Sequence, residues 1–155
     1  MTVIDFGKQP EKEESNSVKL AKTAGLIAAI VFGGAIGWAV MIYWGESIYY
    51  VVGILIGVGM TRVLAAHLAS INFVKGVVIL FTSMFLSLLT IALGEIIFTI
   101  VLLIFDLDYT FGISINIALV NLIEILTNVD VFIGYFTGVV GAIIGFVSVF
   151  RDIKQ

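Results

Sequence analysis

Glu95 is the side chain whose type and position most strongly suggest chemistry. It is the only charged residue between Lys75 and Asp106, in a long and otherwise apolar segment. A carboxylate on such a membrane helix can bind a cation or relay a proton. The alternative is an interfacial acid that reaches water where the helix leaves the lipid. If Glu95 faces other helices, it needs a cation, a proton or a nearby donor, for which the candidates are Tyr43, Trp44, Tyr49 and Tyr50.

Glu46 and Arg62 are the other charged candidates within the apolar part of the chain. Glu46 lies in a tight Gly-Glu-Ser turn, where exposure to water is the simpler reading, although it falls near the same membrane boundary as Glu95. Arg62 lies near the end of its span. Its side chain can extend to lipid headgroups there, or it can form an ion pair between helices.

Motifs for catalysis, metal binding or cofactor binding are missing from the sequence. Cysteine is absent, which excludes disulfides and thiolate sites, and His67 is the only histidine. Asp106 and Asp108 begin like a calcium loop, but Phe111 stands where that loop needs glycine. We therefore expect no cofactor, no metal site and no enzymatic activity. The small net charge of −3 also argues against a nucleic-acid partner.

The composition indicates that the elements carrying these residues lie in a membrane. Of the 155 residues, 61% are hydrophobic and 12% are charged. A soluble domain has about 45–50% apolar and about 25% charged residues. A chain of this length has no soluble core large enough for the excess, so lipid must be its solvent.

Four apolar segments are long enough to cross a bilayer: residues 23–44, 48–66, 73–105 and 131–150. About 20 helical residues cover the hydrocarbon layer. Residues 1–22 mix lysines with acids and hold the only proline, which predicts a disordered tail that becomes helical as it nears the membrane. The predicted fold is all-α, an integral membrane four-helix bundle formed by residues 23–155.

The connection between spans three and four, residues 106–130, predicts an extra interfacial helix. It carries four acids and no basic residue. Its polar residues fall at helical spacing and form a narrow stripe: Ser114, Asn121, Glu124 and Asn128. Because the segment is too short to span comfortably, we expect residues 113–127 to lie at the outer interface rather than form a fifth span.

The distribution of basic residues predicts the orientation. All eight lysines and arginines lie in the tail, at Arg62, at Lys75, or at Arg151 and Lys154. With four spans these positions fall on one side, and the positive-inside rule makes that side cytoplasmic. We expect a multi-pass protein of the cell inner membrane with both termini in the cytoplasm.

Rows of small residues indicate how the helices pack, since in lipid small residues permit close van der Waals contact. Span one has Gly25, Ala29, Gly33 and Gly37 at steps of four. Spans two and four carry glycines at Gly53 and Gly57, and at Gly134, Gly138, Gly141 and Gly145. Span three shows no such row and offers leucine, isoleucine and phenylalanine instead. We therefore expect spans one, two and four to be in tight contact and span three to be peripheral.

Residues 51–57 and 139–145 are similar, each with a valine pair and glycines at the third and seventh positions. An arginine follows in both cases, at Arg62 and Arg151. The similarity fits a parallel repeat of two hairpins. It also fits chance agreement, because membrane helices draw on few residue types.

A further pattern covers mainly the first two spans: Trp38, the turn Gly45-Glu46, and then Gly53, Gly57 and Gly59 before Arg62. It resembles uncharacterised bacterial four-span membrane proteins, some of which carry an N-terminal zinc ribbon. The ribbon needs cysteines, which this chain lacks. The resemblance implies a four-span fold and no known activity or site.

These observations favour a small non-enzymatic membrane protein, an accessory subunit or a self-associating scaffold that packs through glycine faces. Its expected partners are lipid and either a second copy or another membrane protein. The alternative is a subunit of a small oligomeric channel or transporter for an ion or small solute. A water-filled cavity reaching Glu95 would distinguish the two. An enzyme acting on lipid is less favoured, because only Glu46 and Glu95 approach a common depth.

Overall fold

The protein is all-α, as predicted. The computed structural model describes residues 16–44, 49–66 and 73–153, and no strand occurs in this part of the chain. The helices are α1 (Asn16–Trp44), α2 (Tyr49–Ala66), α3 (Phe73–Phe105), α4 (Phe111–Val120), α5 (Leu122–Leu126) and α6 (Val129–Ile153). Helix α1 begins at Asn16, within the predicted tail, so residues 16–22 are helical.

Three helices are long and apolar enough to cross a membrane: α1, α3 and α6. Helix α2 is also apolar but shorter, and its 18 residues extend about 27 Å. Large apolar side chains point outward, among them Phe81 at 66% exposure and Phe136 at 68%. An apolar surface of this extent is stable in lipid and a liability in water. The chain is therefore a helical membrane protein.

Contacts between the helices show their relative directions. Gly34 of α1 lies against Thr90, and Gly94 lies against Ala35 and Trp38, so α1 and α3 run parallel. The contacts between α2 and α6 also follow the same order along both helices, so α2 and α6 are parallel. Gly76 near the start of α3 meets Phe150 near the end of α6, so these two helices are antiparallel.

Helices α2 and α6 make the closest contact, and glycine permits it. A Cβ at Gly57 would overlap the carbonyl oxygen of Gly138 and the amide nitrogen of Ala142. A Cβ at Gly141 would overlap the backbone of Ile54. The Thr61 hydroxyl bridges the pair, lying 3.0 Å from the Gly57 carbonyl oxygen and 3.2 Å from that of Ala142. The two similar segments, residues 51–57 and 139–145, thus pack side by side.

Helix α3 is central, so our expectation of a peripheral span three is wrong. It contacts α1, α2 and α6, as well as α4 and α5. Its packing face is a row of glycines and small hydroxyl residues, namely Gly76, Ser83, Ser87, Thr90 and Gly94. The three hydroxyls are fully buried and bond to carbonyls three or four residues earlier in α3. Backbone bonding of this kind makes them acceptable in an apolar environment.

The predicted tight contact between spans one and four is also wrong. Among the described residues, no Cα atom of α1 lies within 8 Å of a Cα atom of α6. The Trp38 side chain reaches from α1 across to Gly134 of α6. Helices α2 and α3 lie between α1 and α6. The small residues of α3 therefore contribute more to helix packing than the sequence indicated.

The segment after α3 forms two short helices rather than the single helix expected over residues 113–127. The break is at Asn121, whose φ and ψ of −96° and 16° leave the helical region. Its side-chain amide donates to the Ile117 carbonyl oxygen, a local bond that competes with continuation of the helix. Ser114, which we assigned to a polar stripe, is fully buried. Helix α4 packs on α3 through this face, which also includes Ala118.

Candidate functional site

The Trp38 indole lies at the centre of the protein, in a space created by glycines from three other helices. It is fully buried. A Cβ at Gly134 of α6 would lie 2.5 Å from its Cζ2 atom, and one at Gly94 of α3 would lie 2.6 Å from its Cδ1 atom. A Cβ at Gly53 of α2 would lie 3.2 Å from its Cζ3 atom. A large aromatic ring fits here only because all three positions lack a side chain.

The Glu95 carboxylate accepts a hydrogen bond from this indole. The Trp38 Nε1–H group donates to Glu95 Oε1 over 2.8 Å. Glu95 is only 8% exposed, so it lies in the core rather than reaching water as an interfacial anchor. The donor that we did not consider, Trp38, is thus the one that Glu95 uses. Gly94 beside it allows the Trp38 ring to come close enough for this bond.

The hydrogen bond is compatible with two states of the carboxyl group. An indole N–H is a donor only, and an oxygen of either a carboxylate or a carboxylic acid can accept from it. Glu95 can therefore gain or lose a proton without losing Trp38 as its partner. Asp130 and Tyr135 of α6 lie within electrostatic range of Glu95. Asp130 is exposed in the first turn of α6, so an acidic group stands at the end of that helix.

The same end of the protein carries acids and no base. Residues 76–150 contain no lysine, arginine or histidine, while Asp106, Asp108, Glu124 and Asp130 all lie there. The Tyr43 hydroxyl donates to Asp106 Oδ1 over 3.1 Å and joins the end of α1 to the end of α3. Within the described part of the chain, no group of three or more His, Cys, Asp or Glu side chains could hold a metal ion.

The other charged candidates are separate from this site. Glu46 lies outside the described residues, so its predicted approach to Glu95 stays a prediction. Arg62 is exposed on α2, beside the buried Thr61. It belongs to the opposite end of α2 from Tyr50 and does not approach Glu95.

The glycines that we assigned to helix packing fall into two groups. Gly53, Gly57, Gly134, Gly138, Gly141 and Gly145 all lie against a neighbouring helix of the same chain. Gly33 and Gly37 do not, because a Cβ at either position would have no atom of the described residues within 4 Å. The contacts within one copy that we expected for these two glycines are therefore not made. The face of α1 that packs is marked instead by Val31, Ala35, Trp38 and Ala39.

Sequence reasoning missed Trp38 as the partner of Glu95, because we assigned it only to a family pattern. One signal was available. Trp38 and Glu95 are a polar donor and a polar acceptor within long apolar segments, and both require partners there. A search for complementary polar pairs between spans would have found them. The row of small residues on α3 was also missed, because we described span three only by its leucine, isoleucine and phenylalanine residues.

Comparison of this chain with models of protein families, with curated proteins and with solved structures finds no match.

Proposed function

We propose that the chain is a four-span protein of the cytoplasmic membrane with both termini in the cytoplasm. The directions of the helices support this orientation. With α1 and α3 running one way and α2 and α6 the other, four basic positions fall at one end: Lys22, Arg62, Lys75 and Arg151. The acids of residues 106–130 fall at the other end. Helix α2 is the fourth span because it runs alongside α6 and needs the same solvent.

We propose further that the protein is a non-enzymatic scaffold that self-associates, or an accessory subunit, and that α1 provides the contact. One observation carries this proposal. The row Gly25, Ala29, Gly33 and Gly37 faces away from the other helices, and Gly25, Gly33 and Gly37 have open space where a Cβ would stand. In the most apolar stretch of α1, 22% of the residues are buried, against 33% in the corresponding stretch of α6. Helix α1 therefore keeps the most open surface of the three long helices.

The chemistry of the lipid environment explains why an open row of this kind favours association. Lipid tails are as apolar as leucine, so two helices gain little by removing leucine from lipid. They gain by close backbone approach, which small residues allow. The same rule governs the α2–α6 contact within the chain, where glycines already meet a neighbour. The row on α1 offers an equivalent surface to a second copy.

The proposal is tested with leucine at Gly33 and Gly37, compared with leucine at Gly59. Gly59 is also helical and open, but it lies on α2 and outside the row. Subunits labelled with donor and acceptor dyes are reconstituted in liposomes at several protein-to-lipid ratios. We expect the Gly33→Leu, Gly37→Leu double variant to lose energy transfer, and Gly59→Leu to retain it. A protein that stays monomeric at every ratio, or that associates equally well with both changes, contradicts self-association through α1.

A channel or transporter subunit is the second candidate, favoured by the buried Glu95. A carboxyl group inside a membrane helix is costly and is often kept for ion or proton movement. Proteoliposomes loaded with a pH-sensitive dye would report proton flux driven by a potassium diffusion potential. Flux that Glu95→Gln abolishes and Asp108→Asn preserves supports this candidate. The same small leak in all three proteins and in empty liposomes rules out proton transport.

A further inference from the structure

An apolar groove runs along the outer halves of α1 and α3, beyond the Trp38–Glu95 site. We call it the α1–α3 groove. Its walls include Ile36 and Val40 of α1 and Ile97, Val101 and Phe105 of α3. It has a volume of about 310 Å³, at the lower end of the size of small-molecule pockets. From Ile36 to Trp44 it extends about 12 Å along the helix axis.

The end of the groove is polar, aromatic and acidic. Tyr43 and Trp44 line it where α1 ends. The Tyr43 hydroxyl is held by Asp106, which comes directly after Phe105. Asp108 follows within two residues, and the nearest basic residues in sequence after α1 are Arg62 and Lys75, at the other end of the helices. An occupant thus meets apolar walls along its length and negative charge at its end.

We propose that the α1–α3 groove binds one acyl chain of a phospholipid that carries a primary ammonium headgroup, such as phosphatidylethanolamine. The acyl chain fills the apolar walls, and the ammonium group donates to the carboxylates of Asp106 and Asp108. Headgroup chemistry decides the selectivity. The quaternary ammonium of phosphatidylcholine has no N–H to donate, and the net negative charge of phosphatidylglycerol is repelled by the two aspartates. Neither Gly33 nor Gly37 lines the groove, so the variants that test self-association leave its walls unchanged.

The two tryptophans of the chain make the proposal measurable. Trp44 lines the groove and is 80% exposed, whereas Trp38 is fully buried. Bromine atoms on an acyl chain quench tryptophan fluorescence on contact. The protein is reconstituted in phosphatidylcholine vesicles that contain increasing fractions of brominated phosphatidylethanolamine, phosphatidylcholine or phosphatidylglycerol. The Trp44→Phe variant supplies the signal from Trp38, which is subtracted.

We expect brominated phosphatidylethanolamine to quench Trp44 at about two- to fivefold lower mole fraction than the other two lipids, the range expected for an exposed charge pair. The double change Asp106→Asn, Asp108→Asn should abolish this preference. Asp108 has a positive φ of 55°, which asparagine also adopts readily, so the backbone is preserved. The matched control removes two acids elsewhere at the same end, Glu124→Gln with Asp130→Asn, and should keep the preference.

A second pair of variants separates the groove from the charge. Val101→Phe places extra volume in the groove and should remove the preference for phosphatidylethanolamine. Val147→Phe makes the same change on the exposed face of α6 and should leave it intact. Equal quenching by the three lipids overturns the proposal, as does a preference that survives either Val101→Phe or the double aspartate change. Weak quenching by all three lipids would mean that protein covers the groove, which also overturns it.

Discussion

Gly57 and Gly59 lie two residues apart on α2, and alanine should destabilise the protein at Gly57 but not at Gly59. At Gly57 the added Cβ would meet backbone atoms of Gly138 and Ala142 closer than atoms can approach. Backbone cannot rotate away as a side chain can, so α2 and α6 must separate. At Gly59 the added Cβ would meet nothing within 4 Å.

The size of the effect at Gly57 follows from the separation required. Ordinary contact begins at 3.4 Å, so the helices must move apart by about an ångström. Overpacking of this kind costs about 1–3 kcal/mol. The movement also breaks the 3.2 Å bond from the Thr61 hydroxyl to Ala142, which contributes about 0.5–1.5 kcal/mol. The higher helix propensity of alanine offsets up to about 1 kcal/mol of this loss. The net result is a loss of about 0.5–4.5 kcal/mol.

At Gly59 only the propensity term acts, so Gly59→Ala should leave stability unchanged or raise it by up to about 1 kcal/mol. Both variants and the natural protein are unfolded by titrating sodium dodecyl sulfate into mixed micelles. Helix content is followed by circular dichroism and burial of Trp38 by fluorescence. Equal effects of the two substitutions, or a larger loss at Gly59, would refute the packing of α2 on α6 described above.

Three further predictions follow from the same structure. Glu95→Leu should cost about 1–3 kcal/mol, because it removes the carboxylate oxygen that accepts the buried Trp38 N–H hydrogen bond. Glu95→Gln keeps an acceptor oxygen and should cost much less, and equal losses in micelle unfolding would contradict the hydrogen bond. Ser114→Leu should cost about 1–3 kcal/mol by pushing α4 away from α3, and an unchanged midpoint of unfolding would show that α4 does not pack there. Because the chain has no cysteine, a single added cysteine is the only site that a maleimide can label. In intact cells an impermeant maleimide should label Asp108→Cys and should not label a cysteine placed at either terminus. The reverse pattern would show that the orientation is inverted.

The positions of the long helices could be predicted closely from the sequence. The predicted third span, residues 73–105, has the bounds of α3, and α2 begins one residue after its predicted start. Apolar runs are reliable guides because a backbone in lipid must satisfy its own hydrogen bonds, and a helix does so locally. The short helices after α3 were harder, because the conformation of one residue, Asn121, divides them.

The side of each helix that faces inward could not be predicted in the same way. In water, the core face is the apolar face, and its period can be read from the sequence. In lipid, both faces are apolar, so inward positions are marked only by small or polar residues. On α2 and α6 the glycine rows did mark packed positions. On α1 the glycine row is open, and the packed face is the one that carries Trp38.

Composition and the length of the apolar runs by themselves determined that this protein is helical and belongs in a membrane, because both properties depend on local chemistry along the chain. The partner of Glu95 was decided only by the tertiary structure. Trp38 lies 57 residues away in sequence, and the two side chains meet because Gly53, Gly94 and Gly134 leave space for one indole ring. A row of small residues can be covered by another helix of the same chain or can stay open. Which of these occurs likewise depends on how all the helices pack together, and the sequence of one segment does not contain that information.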